Sequence, residues 1–123
     1  FNGNTGPFIQ YTYARIQSLI QKVEGELELH LDLSLVDKEK EILKHLSTYP
    51  ALVKTAGEQY SPALVANYLY ELVKIFNSFY QNVSVLGSKD QKLKSLRLLL
   101  CKAVANNIES ASGLLGIDLP DRM

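Results

Sequence analysis

Tyr11 and Arg15 stand four residues apart, so on a helix they are neighbours, a flat phenol beside a guanidinium. Such a pair has two uses. It can pack at the edge of a core, or it can stack on a nucleobase while holding a phosphate. Two stretches carry opposite charge. Lys89, Lys92, Lys94, Arg97 and Lys102 share a segment whose only acid is Asp90, which suits phosphate. Glu24, Glu26, Glu28, Asp32, Asp37, Glu39 and Glu41 are opposed only by Lys38 and Lys40 and should repel it from what is expected to be a solvated surface. Lys94 and Lys102 are expected to point to solvent, while Arg97 lies beside the core edge and orders structure.

Other chemistry is sparse. His30 and His45 have no further ligand at a useful spacing, and His45 is placed among charged, solvated neighbours, so no metal site is expected. Cys101 is the only cysteine and is expected to be an inert buried thiol, compatible with a reducing cytoplasm. There is no Gly-rich loop ending in Gly-Lys-Ser/Thr, and Gly3 and Gly6 are too close for a nucleotide fingerprint. No catalytic residue and no cofactor are expected in this chain. Binding therefore outranks catalysis.

The elements that position these residues follow from caps and periodicity. Thr5, Gly6 and Pro7 form a helix start at about Pro7, and Phe8, Tyr11, Ile16, Leu19, Ile20 and Val23 give that helix an apolar face. Glu26 to Leu35 alternates polar and apolar residues and is taken as an extended crossover whose leucines lie on the helices. An edge pairing with another chain and a helical continuation through Leu27, Leu31 and Leu35 remain as alternatives. Asp37 caps a helix bearing Ile42, Leu43 and Leu46, Pro50 ends it, and a short helix through Leu52, Val53 and Ala56 stops near Gly57. Ser61-Pro62 starts a helix to about Gln81, with Val65, Tyr68, Leu69, Leu72, Phe76, Phe79 and Val83 as its stripe. Tyr80 lies on the flank of that stripe, whereas Tyr70 and Asn77 point the opposite way. Ser88 to Gln91 is a capping box for the last helix, on which Leu93, Leu96, Leu100, Ala103, Val104, Ile108, Ala111, Leu114 and Leu115 keep one face apolar.

The expected fold is all-α, a bundle of four to five helices with an extended crossover between the first two. With 123 residues, 46% of them hydrophobic, residues 1–123 fit one domain with its own core. The net charge is zero, unlike the basic footprint of a nonspecific nucleic-acid binder. No apolar run approaches the ~18 residues of a membrane span.

Asn4-Thr5-Gly6-Pro7-Phe8-Ile9-Gln10-Tyr11, followed by Ala14-Arg15, resembles the junction between the catalytic and anticodon-binding domains of arginyl-tRNA synthetases. Residues 1–6 then belong to that junction. The resemblance continues through Tyr68-Leu69-Tyr70-Glu71-Leu72, Phe76-Asn77-x-Phe79-Tyr80 and Val85-Leu86, and through Leu114-Leu115-Gly116-Ile117 to Asp121-Arg122-Met123. Three pieces in the family's order make it specific, and the style is bacterial. Lys94-Ser95-Leu96-Arg97 stands where the family carries its D-A-L-R pattern and keeps only Leu-Arg.

The resemblance implies a helical domain that docks on the anticodon stem-loop of tRNA(Arg) beside the catalytic domain of the same protein. Tyr11 and Arg15 match the family's contacts from the first helix, Tyr80 those from the third, and Met123 the terminal methionine. A family aromatic just beyond Tyr80 is replaced by Ser84. Lys94 and Lys102 would add screened attraction to the stem. The complete family enzyme is a class I ligase using ATP and magnesium in the cytoplasm. Its ATP-handling signatures are absent here, so the chain alone is expected to be inactive, and it is expected to be a monomer. A competing reading is a helical protein-interaction module using Leu27 to Leu35 and an exposed Leu98.

Overall fold

The computed structural model describes residues 5–23, 27, 34–87 and 89–120. They form five helices, α1 (Thr5–Gln21), α2 (Asp37–Ser47), α3 (Tyr49–Glu58), α4 (Pro62–Asn82) and α5 (Gln91–Leu115), an all-α bundle as expected. The proposed crossover falls outside the described residues, apart from Leu27, Ser34 and Leu35; Leu27 packs against the core.

Local chemistry explains the boundaries, with some changes of role. α2 is capped by Val36, not Asp37, because the Glu39 carboxylate accepts the Val36 N–H at 2.9 Å. Thr48 closes α2, and Pro50 lies in the first turn of α3, where its missing N–H costs nothing. Ser61 precedes α4 without a side-chain cap bond, Pro62 supplying the start. Asp90, not Ser88, caps α5 by accepting the Lys92 N–H at 2.9 Å. Gly116 ends α5 at φ 72°, a left-handed turn natural to glycine.

Tyr60, between α3 and α4, has φ 50° and is 92% exposed. An L side chain is strained there and buries little in return. Tyr60→Gly relieves about 1–2 kcal/mol of left-handed strain, offset in part by the greater freedom of glycine in the unfolded chain, so a net gain of about 0.5–1 kcal/mol is expected, raising Tm by roughly 2–4 °C in a thermal melt.

α4 touches all four other helices, and α5 packs against α1, α2 and α4. Phe8 meets Tyr70, and Arg15 meets Asn77, so α1 and α4 run in the same direction. Tyr13 bonds Glu109 and Gln10 bonds the Asp118 carbonyl, so α5 runs opposite to α1. Between them Ile9, Ile16, Ile42, Leu69, Leu72, Phe76, Phe79, Val104 and Ile108 are fully buried.

Several expectations change at this level. Leu98 is buried at 1% exposure, because α5 has neighbours on more than one side and no single apolar stripe describes it. Glu39 is 0% exposed and meets Arg97 Nε at 3.0 Å, so the acidic stretch is not wholly a surface. Arg97 also donates to the Ser84 carbonyl at 2.8 Å, and thus orders structure as expected. His45 does not sit among charges. It stacks on Tyr68 with centroids 4.3 Å apart and hydrogen-bonds the Tyr68 carbonyl at 3.1 Å. Burial, and then Tyr49, push the Tyr68 phenol well above its usual range. Cys101 is buried, and burial pushes its thiol up to about 12 against a weaker opposing backbone hydrogen bond, which suits an inert thiol. Among the described residues no helix is long and apolar enough to cross a membrane.

Candidate nucleic-acid interface

The seam between α1 and α4 is polar along one edge. Thr12 on α1 is fully buried, and its Oγ1 accepts from Asn77 Nδ2 at 2.9 Å. The same Nδ2 donates to the Val73 carbonyl at 2.9 Å. Oδ1 of Asn77 therefore faces outward, where it accepts from Arg15 Nη1 at 2.8 Å. One turn of α1 links Arg15 to Tyr11, whose phenol oxygen accepts from Nη2 at 3.3 Å.

Two aromatic rings flank the guanidinium. Its central carbon lies 4.9 Å from the Tyr11 centroid and 4.5 Å from the Tyr80 centroid, within the range of cation–π attraction. Tyr80 is half-buried and lies 6.2 Å from Phe76, which in turn lies 6.0 Å from Phe79. One side of the cluster is thus anchored in the core. Tyr11 is 52% exposed, contrary to its assignment to the apolar face of α1; Ile9, Thr12, Tyr13, Ala14, Ile16 and Leu19 are the residues buried there. The helix turns a different arc inward because α4 and α5 grip it on two sides.

The periodicity of α4 predicts Asn77 and Tyr70 on the side opposite its apolar stripe. Asn77 instead lies in the α1–α4 seam, and Tyr70 is half-buried edge-on to Phe8 at 6.3 Å. One available signal was a carboxamide placed four residues after Val73 and three before Tyr80, one residue beyond the core Phe76.

The lysines stand elsewhere. Lys94 is half-buried and shares a depression with Lys22, Val23 and Leu27 between α1 and α5. Lys102 is exposed beside Ile20 and Leu98 on that α5 side. The structure brings Tyr11, Arg15 and Tyr80 together and leaves Lys94 and Lys102 apart from them. Met123 lies outside the described residues. No group of His, Cys, Asp or Glu among the described residues could hold a metal ion.

A flat cation clasped by rings, with one ring half open to solvent, is suited to unstacked bases. Residues 9–123 match the DALR anticodon binding domain. The chain belongs to that family. It is 52% identical over 123 residues to an arginine–tRNA ligase of Flavobacterium psychrophilum and 46% identical over 128 residues to one of Porphyromonas gingivalis. All of the chain is covered in both alignments, against 20% and 21% of the two relatives. The chain therefore spans about a fifth of the length of these relatives. The arginyl-tRNA synthetase of Thermus thermophilus superposes with a TM-score of 0.90 at 28% identity, covering 100% of this chain and 22% of the other. A putative arginyl-tRNA synthetase of Campylobacter jejuni gives 0.83 at 27% identity, covering 98% and 27%. In this DALR domain the Leu96-Arg97 pair lies on α5, Leu96 buried and Arg97 bound to Glu39.

Proposed function

We propose that this domain binds the anticodon stem-loop of tRNA(Arg) and positions it for arginylation by the catalytic part of an arginine–tRNA ligase. The observation that carries the reading is the Arg15 guanidinium held between Tyr11 and Tyr80. Each ring offers a face to a splayed base, and Arg15 donates to a base edge or phosphate. Met123 supplies a soft apolar wall. Lys94 and Lys102, on the neighbouring α1–α5 side, add attraction to the stem that salt screens. ATP and magnesium serve the catalytic part, and the setting is the cytoplasm, where the domain acts within a monomer.

A formal net charge of zero suits this task, because bulk attraction would favour every RNA alike. The competing protein-interaction reading loses its exposed Leu98, which is buried.

The test compares an RNA stem-loop carrying an arginine anticodon with the same stem and an unrelated anticodon. The arginine loop is expected to bind about tenfold or more tightly in a fluorescence titration, a gap of about 1.4 kcal/mol. Equal affinity for both would remove anticodon reading.

A further inference from the structure

Arg15 would be a poor reader if its side chain wandered, since a long cation loses rotamer freedom each time it binds. Its partners show how it is held. The Val73 carbonyl can only accept, so the amide of Asn77 must turn Nδ2 toward it and Oδ1 toward Arg15. Thr12, fully buried, takes Nδ2 as well. The amide is thereby tied to both helices before Arg15 is reached.

The anchor is also neutral. Arg15 meets Asn77, Tyr11 and Tyr80, and no carboxylate is paired with it among the described residues. A carboxylate in the place of Asn77 would grip the guanidinium harder but cancel its charge.

We infer that Asn77 is a positioning residue that fixes Arg15 between the two rings through an uncharged acceptor, leaving its full charge for an acceptor atom of the anticodon loop. This rests on the anticodon reading above. Asn77 itself touches no RNA; its effect passes wholly through Arg15.

A double-mutant cycle on the full chain tests it, with the arginine-anticodon stem-loop RNA as probe and Tm measured for each variant. Asn77→Ala is expected to weaken binding about tenfold, and to weaken it no further when Arg15→Ala is already present. A merely structural Asn77 would lower Tm equally in both backgrounds and show no such coupling in affinity. Asn77→Asp gives a second reading that does not need the alanine variant to fold. It is expected to weaken binding and to reduce the slope of log affinity against log salt by about 0.7, as for one lost phosphate contact on a single strand. Independent, additive losses from Asn77→Ala and Arg15→Ala would overturn the inference. So would an Asn77→Asp variant with unchanged affinity and slope. If Arg15→Ala alone leaves binding intact, it is the anticodon reading of Arg15 that falls, and the role of Asn77 with it.

Discussion

Arg97→Ala is expected to lower stability by about 3–5 kcal/mol, the usual cost of stranding one member of a buried ion pair. Glu39 has no exposure, and its two oxygens are taken by the Val36 N–H at 2.9 Å and by Arg97 Nε at 3.0 Å. Without Arg97, one of those oxygens is left charged and dry. The Ser84 carbonyl loses its donor as well. Glu39 lies on α2, holding Val36 just before it, and Ser84 lies just after α4, so a single guanidinium fastens the start of α2 and the exit of α4 to α5. Against a total of about 5–15 kcal/mol for a domain, the loss should shift Tm by on the order of 10–20 °C, read by circular dichroism. Replacing both members by apolar residues, Glu39→Leu with Arg97→Met, should cost much less, because no charge is then left buried. Equal losses from the single and double variants would show that Arg97 acts through packing alone.

The same pair marks how far the sequence could be followed. The helix starts near Pro7 and at Pro62 were legible because the chemistry of proline is local, although α1 already includes Thr5. So were the cores of α4 and α5, where Leu69, Leu72, Phe76, Val104 and Ile108 keep a 3.6-residue rhythm and are all buried, although Leu114, assigned to the same stripe of α5, is 58% exposed. The reading failed where one helix has several neighbours. Leu98 fell off the stripe assigned to α5 but faces the apolar residues Val23 and Leu27. Glu39 looked solvated because its partner stands 58 positions later. The candidate interface divides along the same line. Tyr11 and Arg15 are one turn apart and could be paired on sight, whereas Asn77 is 62 positions from Arg15 and no periodicity joins them. Tyr80 was found through the family resemblance, not through spacing.

Tyr11→Ala should have its large effect on binding and a small one on folding. The ring is 52% exposed, so its removal forfeits little burial and one exposed cation–π contact worth about 0.5–1 kcal/mol. On the proposed anticodon reading the same ring would be a stacking surface for a base, worth about 1–3 kcal/mol, so affinity should fall between roughly 5-fold and 150-fold. Arg15 would also lose the phenol oxygen that Nη2 reaches at 3.3 Å, although Asn77 and Tyr80 still hold it. The two readouts therefore separate, which a core residue such as Phe76 would not allow. The most direct measurement is a titration of Tyr11→Ala and the unaltered chain with the arginine-anticodon stem-loop, accompanied by a melt of each. Binding weakened at least fivefold with Tm within a few degrees is the result expected of an anticodon platform; unchanged affinity in a variant that melts normally would contradict it.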